Sequence, residues 1–189
     1  MALVCLGLCA CQGPGHLRQS PPPVPSAKPA LKAGMTLAQP YVLVEKSARR
    51  LSLYDGRQVV KVYRVCTGLS VGDKQREGDK KTPLGRFYIC YKNPQSQYTL
   101  SLGLSYPNID DADRGLSASM ITQAQHDAIC QATNAHACPP WDTALGGEIM
   151  IHGAGANRPG TAGCVGMDDD DIRELYPLLP IGTTVEIVP

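Results

Sequence analysis

Turn-forming residues interrupt this chain so often that short strands are favoured over long helices: 19 glycines and 16 prolines fall among 189 residues. Between these breaks lie short runs of β-branched, aromatic and leucine residues. Tyr41–Lys46 and Arg50–Tyr54 read as strands, Asp55-Gly56 as a turn signal, and Gln58–Cys66 as a third strand. Gly85–Tyr91, Tyr98–Ser105, Glu148–His152 and Thr183–Val188 follow in the same style. Ile121–Thr133 lacks strand formers and reads as a helix, and a second helix is expected over about Asp169–Leu178. With 43% hydrophobic residues the chain can fill one ordinary core. The expectation is a single mainly β domain with a few short helices, spanning 41–189.

The first forty residues differ. Residues 1–11 are uncharged and apolar, and Leu8-Cys9-Ala10-Cys11 resembles a bacterial lipobox, with Cys11 as the lipidation site and the membrane as the partner of that anchor. Residues 12–40 hold seven of the sixteen prolines and no apolar periodicity, the composition of an extended tether. The formal net charge of +1 comes from scattered basic residues, which argues against nucleic acid as a partner. The acidic run Asp168–Asp171 precedes Ile172 and reads as a helix start whose carboxylates cap free N–H groups, in preference to a metal site.

Two segments carry chemistry. Ile149-Met150-Ile151-His152-Gly153 is an apolar strand that delivers an imidazole next to a glycine, and Gly163-Cys164 places a thiol in a turn. A thiol of ordinary pKa, about 8.5, is mostly protonated at neutral pH, so an imidazole able to take its proton makes a nucleophile of it. Backbone N–H groups around Gly163 and Cys164 are candidates to face an oxyanion. Cys130 and Cys138, in an oxidising compartment, would most simply close a short disulfide loop. A zinc reading of His126, Cys130, His136 and Cys138 fits no standard spacing, and Cys66 and Cys90 are open between a second disulfide and buried thiols.

Ile151-His152-Gly153 and Thr161-Ala162-Gly163-Cys164-Val165-Gly166-Met167, together with Thr82-Pro83-Leu84-Gly85-Arg86-Phe87 upstream, resemble the signature of the YkuD-type L,D-transpeptidases. Leu104–Asn108, Asp110 and Arg114, and Cys-Val-Gly-Met-Asp from position 164, resemble the YafK-like branch. The resemblance implies a YkuD-type β-sandwich, Cys164 as nucleophile, His152 as general base, and the Gly153 carbonyl orienting the imidazole. It puts the oxyanion donors around Gly163 and assigns substrate contact to Tyr106, Asn108, Arg114 and Thr161; a Tyr-Pro-Asn turn with a surface salt bridge is the alternative for the first three. Position 162 is Ala where many members have a second His, and position 166 is Gly where many have an Arg that could hold a substrate carboxylate or brace the loop. The implied reaction attacks a tetrapeptide stem of peptidoglycan through a thioester, forming crosslinks or attaching or detaching an envelope protein, in a periplasmic, lipid-anchored setting. A hydrolytic L,D-carboxypeptidase or amidase and a non-enzymatic peptidoglycan-binding lipoprotein are the alternatives. No metal and no organic cofactor are required by this chemistry.

Overall fold

The computed structural model describes Leu31 and residues 34–189. The lipobox-like segment, with Cys11, and most of the Pro-rich segment lie outside the described residues. Among the described residues there are eight strands: β1 (Pro40–Glu45), β2 (Arg50–Asp55), β3 (Gln58–Cys66), β4 (Gly85–Asn93), β5 (Ser101–Leu104), β6 (Met150–His152), β7 (Val165–Met167) and β8 (Thr184–Val188). Helices α1 (Ile109–Ser117), α2 (Gln123–Asn134) and α3 (Asp169–Leu175) join them, with a 3-10 turn at Tyr176–Leu178. No helix among the described residues is long and apolar enough to cross a membrane.

The mainly β expectation is met. The hydrogen-bonded order β1-β2-β3-β7-β6-β5-β4-β8 closes on itself through a parallel β8–β1 pair, so the strands form one closed barrel. The reason lies in the alternation of the strands, which sends every second side chain inward. Val42 and Val44, Leu51 and Leu53, Phe87 and Ile89, and Val185 and Ile187 meet in a core of twenty buried residues that also takes in Ile172 and Leu175 from α3. At roughly 25 cal/mol per Å² of apolar surface, each such side chain stabilises the fold by about 1.5–3 kcal/mol.

Two elements escape the sequence reading. β7 is only three residues long, and α1 follows the Tyr106–Asn108 segment in a stretch for which the sequence suggests no element. Helix α1 starts at Asn108, whose side chain accepts the Asp111 N–H at 3.0 Å while Asp111 accepts the Asn108 N–H at 3.0 Å, a reciprocal cap. Helices α1 and α2 sit in the connection between β5 and β6 and share a small core of Ala112, Ile121, Ile129 and Leu145. Strand β5 is shorter than expected because Thr99 turns the chain with φ +73°.

The cysteine pairing is a correction. Cys138 is bonded to Cys90, Cα atoms 5.1 Å apart, and not to Cys130. Helix α2 holds Cys130 beside His126, Sγ 3.7 Å from Nε2, whereas the chain beyond the helix turns at His136 (φ +53°) and returns along β4. There the register against β5 shifts between Ile89 and Tyr91, so Cys90 falls at a bulge, a device that re-aims a side chain. Tyr88 reinforces the junction by donating its hydroxyl to the Ala137 carbonyl at 2.7 Å and stacking on His136. Cys66 is a buried free thiol. Among the described residues no group of three or more His, Cys, Asp and Glu side chains is placed to hold a metal.

Candidate active site

Strand β6 ends at His152, which pairs with Ser101 of β5 on one side and Gly166 of β7 on the other. Its Nδ1 lies 2.6 Å from the Gly153 carbonyl oxygen. A carbonyl only accepts, so Nδ1 carries the hydrogen and Nε2 presents a lone pair. The Tyr98 ring stacks on the imidazole with centroids 4.6 Å apart. A Cβ at Gly153 would collide with Asp169 Oδ1 and the Tyr98 carbonyl, which explains the glycine. Asp169 Oδ1 accepts the Ala154 N–H and the Thr99 hydroxyl, both at 2.8 Å, and Asp168 accepts the Ala156 N–H at 2.8 Å. These two carboxylates therefore brace the loop after His152; the expected capping bond from Asp168 to α3 is absent. Burial pushes the His152 imidazole below its ordinary pKa, against the opposing pull of its bond to Gly153, and Arg158 lowers it further.

Cys164 sits in the turn ahead of β7. Thr161 Oγ1 accepts the Gly163 N–H at 3.1 Å and donates to the Cys164 carbonyl at 2.6 Å. Thr82, fully buried, accepts the Gly68 N–H at 2.8 Å and lies 3.4 Å from the same Cys164 carbonyl. Gly163 has φ +142°, and a Cβ there would approach Lys81 O to 2.9 Å, so no other residue fits this turn without strain. The thiol accepts the Met150 N–H at 3.4 Å and directs its own hydrogen to the Glu148 carbonyl at 3.5 Å. Glu148 is held at φ +52°, a left-handed conformation for a non-glycine residue beside the thiol. Burial pushes the Cys164 thiol above its ordinary pKa, the Met150 N–H opposes this, Glu148 adds to it, and Lys74 draws it back. Both shifts favour a neutral resting pair, thiol and imidazole, over an ion pair.

Registration explains how the two groups meet. Ile151 pairs with Val165 and His152 with Gly166 in the parallel β6–β7 ladder, which sets Cys164 beside Met150. His152 lies two residues further along the same face, about 6.6 Å at the usual strand rise. Both line a cavity of about 990 Å³ whose walls also include Lys74, Tyr91, Tyr98 and Trp141. Barrel strands supply the floor, while Trp141 and Glu148 come from the β5–β6 connection. Trp141 meets Tyr91 edge to face at 6.3 Å.

The residues expected to touch substrate are elsewhere. Tyr106 is wholly buried, donating its hydroxyl to the Leu145 carbonyl at 3.0 Å and packing on Phe87. Asn108 is spent capping α1. Arg114 reaches Asp111 at 2.5 Å and the Lys74 carbonyl at 3.1 Å, so its guanidinium ties α1 to a neighbouring loop. Thr161 uses its hydroxyl inside the nucleophile turn. Each of these side chains is already satisfied by the fold, which is why none faces the cavity. Position 166 likewise offers no room: a Cβ there would lie 2.8 Å from Cys66 Sγ. Of the groups that do surround the pair, Tyr98 and Lys74 carry no signal of their own in the sequence, and Asp169 stands out only as part of an acidic helix start. The Thr-Pro motif at 82–83 was the one available signal for Thr82.

Comparison with known proteins identifies the family and the fold. The family described as YkuD, L,D-transpeptidase catalytic domain, matches residues 39–187. Among solved structures, the helical cell shape determining protein Pgp2 of Campylobacter jejuni is 22% identical, with TM-score 0.53 over 79% of this chain and 47% of that one. Bd1075 of Bdellovibrio bacteriovorus is 23% identical, with TM-score 0.50 over 80% of this chain and 48% of its own. The chain thus spans about half the length of these structures, and the likeness is one of fold. No curated protein matches. The chain belongs to the YkuD-type L,D-transpeptidase catalytic domain family.

Proposed function

We propose that the chain is a cell-envelope cysteine acyltransferase acting on tetrapeptide stems of peptidoglycan. The observation that carries this reading is His152, oriented by the Gly153 carbonyl, sharing a cavity with Cys164. His152 Nε2 takes the thiol proton as Sγ attacks the amide carbonyl at the L-centre of the diamino acid. The S–C bond forms, the C–N bond breaks, and the imidazolium returns the proton to the departing D-alanine amine. With the Gly163 N–H engaged by Thr161, we assign the oxyanion to the Cys164 N–H. A second amine then opens the thioester to give a crosslink or an anchored envelope protein; water gives carboxypeptidase or amidase activity.

Mass spectrometry of tetrapeptide muropeptides incubated with wild-type protein and Cys164→Ala tests this. Loss of D-alanine with new crosslinks, in the wild type alone, is the expected result. Loss without crosslinks marks a hydrolase, and no change in either sample sinks the acyltransferase. One observation favours the rival reading of a peptidoglycan-binding protein without chemistry: the thiol hydrogen points to Glu148 O and not to the imidazole. A carbapenem separates the two, since only a competent Cys164 forms the covalent adduct.

A further inference from the structure

Lys74 has no part in the proton transfers above, yet it is a cation built into the cavity wall. Its side chain is only 4% exposed. Nζ donates to the Arg76 carbonyl at 2.9 Å and to Asp79 Oδ1 at 3.1 Å. An ammonium has three donors, and these bonds use two. The Tyr106 ring stands 5.8 Å away toward the core, and the remaining side of Lys74 borders the cavity that holds Cys164 and His152.

Asp79 does not cancel this cation on its own. Its carboxylate also accepts the Gln75 N–H at 2.8 Å, the Lys81 N–H at 3.1 Å and the Arg76 N–H at 3.2 Å, so its charge is shared among backbone donors. The main chain is held as firmly: Arg114 binds the Lys74 carbonyl at 3.1 Å, and Lys46 binds the Gly72 and Thr82 carbonyls at 2.5 and 2.6 Å. Ordering such a side chain costs little on binding, because the fold has already done it. Glu77 and Glu148 border the same cavity, but both are exposed to solvent at its rim. Lys74 also acts electrostatically on Cys164 in the sense that favours thiolate, as a cation near Sγ must.

We propose that Lys74 is a carboxylate subsite, receiving the free C-terminal carboxylate of the residue that Cys164 releases. This rests on the acyl-transfer reading and deepens it. The leaving residue's carboxylate is one N–Cα unit from the attacked carbonyl, so a group that binds it beside the thiol selects chain ends and rejects internal or amidated peptides. Bound there, the carboxylate fills the third donor of the ammonium.

The first test needs no substrate. Alkylation rates of Cys164 with iodoacetate and iodoacetamide are compared with those of a neutral cysteine peptide at the same pH. The acid-to-amide ratio at Cys164 should exceed the peptide's by roughly tenfold to a hundredfold, the scale of one charge-assisted hydrogen bond. Lys74→Met should bring it back to within about twofold of the peptide value, with Lys74→Arg in between. An unenhanced wild-type ratio, or one that survives Lys74→Met in a folded variant, overturns the subsite. Should the Met variant not fold, wild-type protection decides: D-alanine must slow iodoacetate labelling and D-alaninamide must not. Tetrapeptide and its C-terminal amide then form the second arm, with KM higher for the amide. A preserved labelling ratio without turnover would refute acyl transfer and leave the anion subsite standing. Equal KM for the two peptides with no labelling ratio would do the reverse.

Discussion

The barrel and the helical connection between β5 and β6 solve the same problem with very different means. The barrel closes its strands around twenty buried residues. The connection has four, Ala112, Ile121, Ile129 and Leu145, with Leu116 and Met120 half-covering them. Such a core is too small to fix a wall in place unaided. The connection is therefore tied at its edges: by Cys138 to Cys90, by Ala137 to Tyr88, by Arg114 to the Lys74 carbonyl, and by the Glu77 N–H to the Ala144 carbonyl at 3.0 Å. The division matters for chemistry. His152 and the Cys164 turn belong to the rigid part, whereas Trp141 and Glu148 belong to the tied part. Catalytic geometry and cavity shape can thus fail separately.

Cutting into each core should show this most strongly. Leu102→Ala, fully buried on β5 opposite Ile151, is expected to cost about 3–5 kcal/mol, because a closed barrel cannot collapse around the void. Ile129→Ala should cost about 2 kcal/mol, since two helices over a small cluster relax more easily. Chemical denaturation gives the magnitudes and hydrogen exchange gives the location. Leu102→Ala should raise exchange everywhere, and Ile129→Ala only across residues 109–148. Equal global effects would mean that the two regions form one cooperative unit.

Opening the staple comes next. The 48-residue separation of Cys90 and Cys138 corresponds to about 4 kcal/mol in the chain-entropy account. Cys138→Ser should lose most of that, Cys90→Ser the same amount, and Cys130→Ser almost nothing. Peptide mapping without reductant should recover the 90–138 link. A stability loss for Cys130→Ser equal to that of Cys138→Ser would restore the short loop expected from sequence.

The staple should also govern the thiol. Burial is the largest cause of the raised Cys164 pKa, and part of the covering wall comes from the connection through Glu148 and Trp141. In the folded, oxidised protein the alkylation rate should keep rising with pH past the ordinary thiol midpoint, about 8.5. After selective reduction, water reaches Sγ and the midpoint should fall toward that ordinary value. His152 shifts the other way, its folded pKa lying below the unfolded one. Its contribution to stability is present above the unfolded value, about 6.5, and is lost as pH falls below it, because the unfolded chain binds the proton first. A midpoint unmoved by reduction would assign the desolvation to the barrel alone.

What the sequence revealed follows the same divide. Strands β1 and β8 alternate cleanly, and an alternating run states its own inward face. The pair His152 and Cys164 was legible because each sits in a local pattern, strand-to-glycine and glycine-to-thiol. Helix α1 was not, because its buried face is Asp111, Ala112 and Gly115, residues that give no apolar stripe. Strand β7 is three residues with a glycine at its centre. Nearness in sequence favours Cys130 as the partner of Cys138, whereas the register shift in β4 presents Cys90 to it instead. Lys74, Thr82 and Tyr98 reach the site from loops distant in sequence, and only the closed strand order brings them there. Tyr106, Asn108 and Arg114 show the converse: a motif was recognised, but its side chains hold the fold together.

The smallest effect tests whether the nucleophile turn belongs wholly to the barrel side. Thr161→Val keeps the shape and removes the hydroxyl that accepts the Gly163 N–H and donates to the Cys164 carbonyl. The expected stability loss is about 1 kcal/mol, since Thr82 still lies near the same carbonyl. Carbapenem acylation of Cys164 should slow by roughly tenfold, because the turn that aims Sγ loses its inner brace. Thr161 is braced by the barrel-side residues Thr67 and Leu69, at 2.9 and 3.0 Å, and has no bond to the connection. Its stability effect should therefore add to that of Cys138→Ser within about 0.5 kcal/mol. A larger coupling would mean that the tied wall also sets the turn, and that the two halves of the cavity cannot be tuned apart.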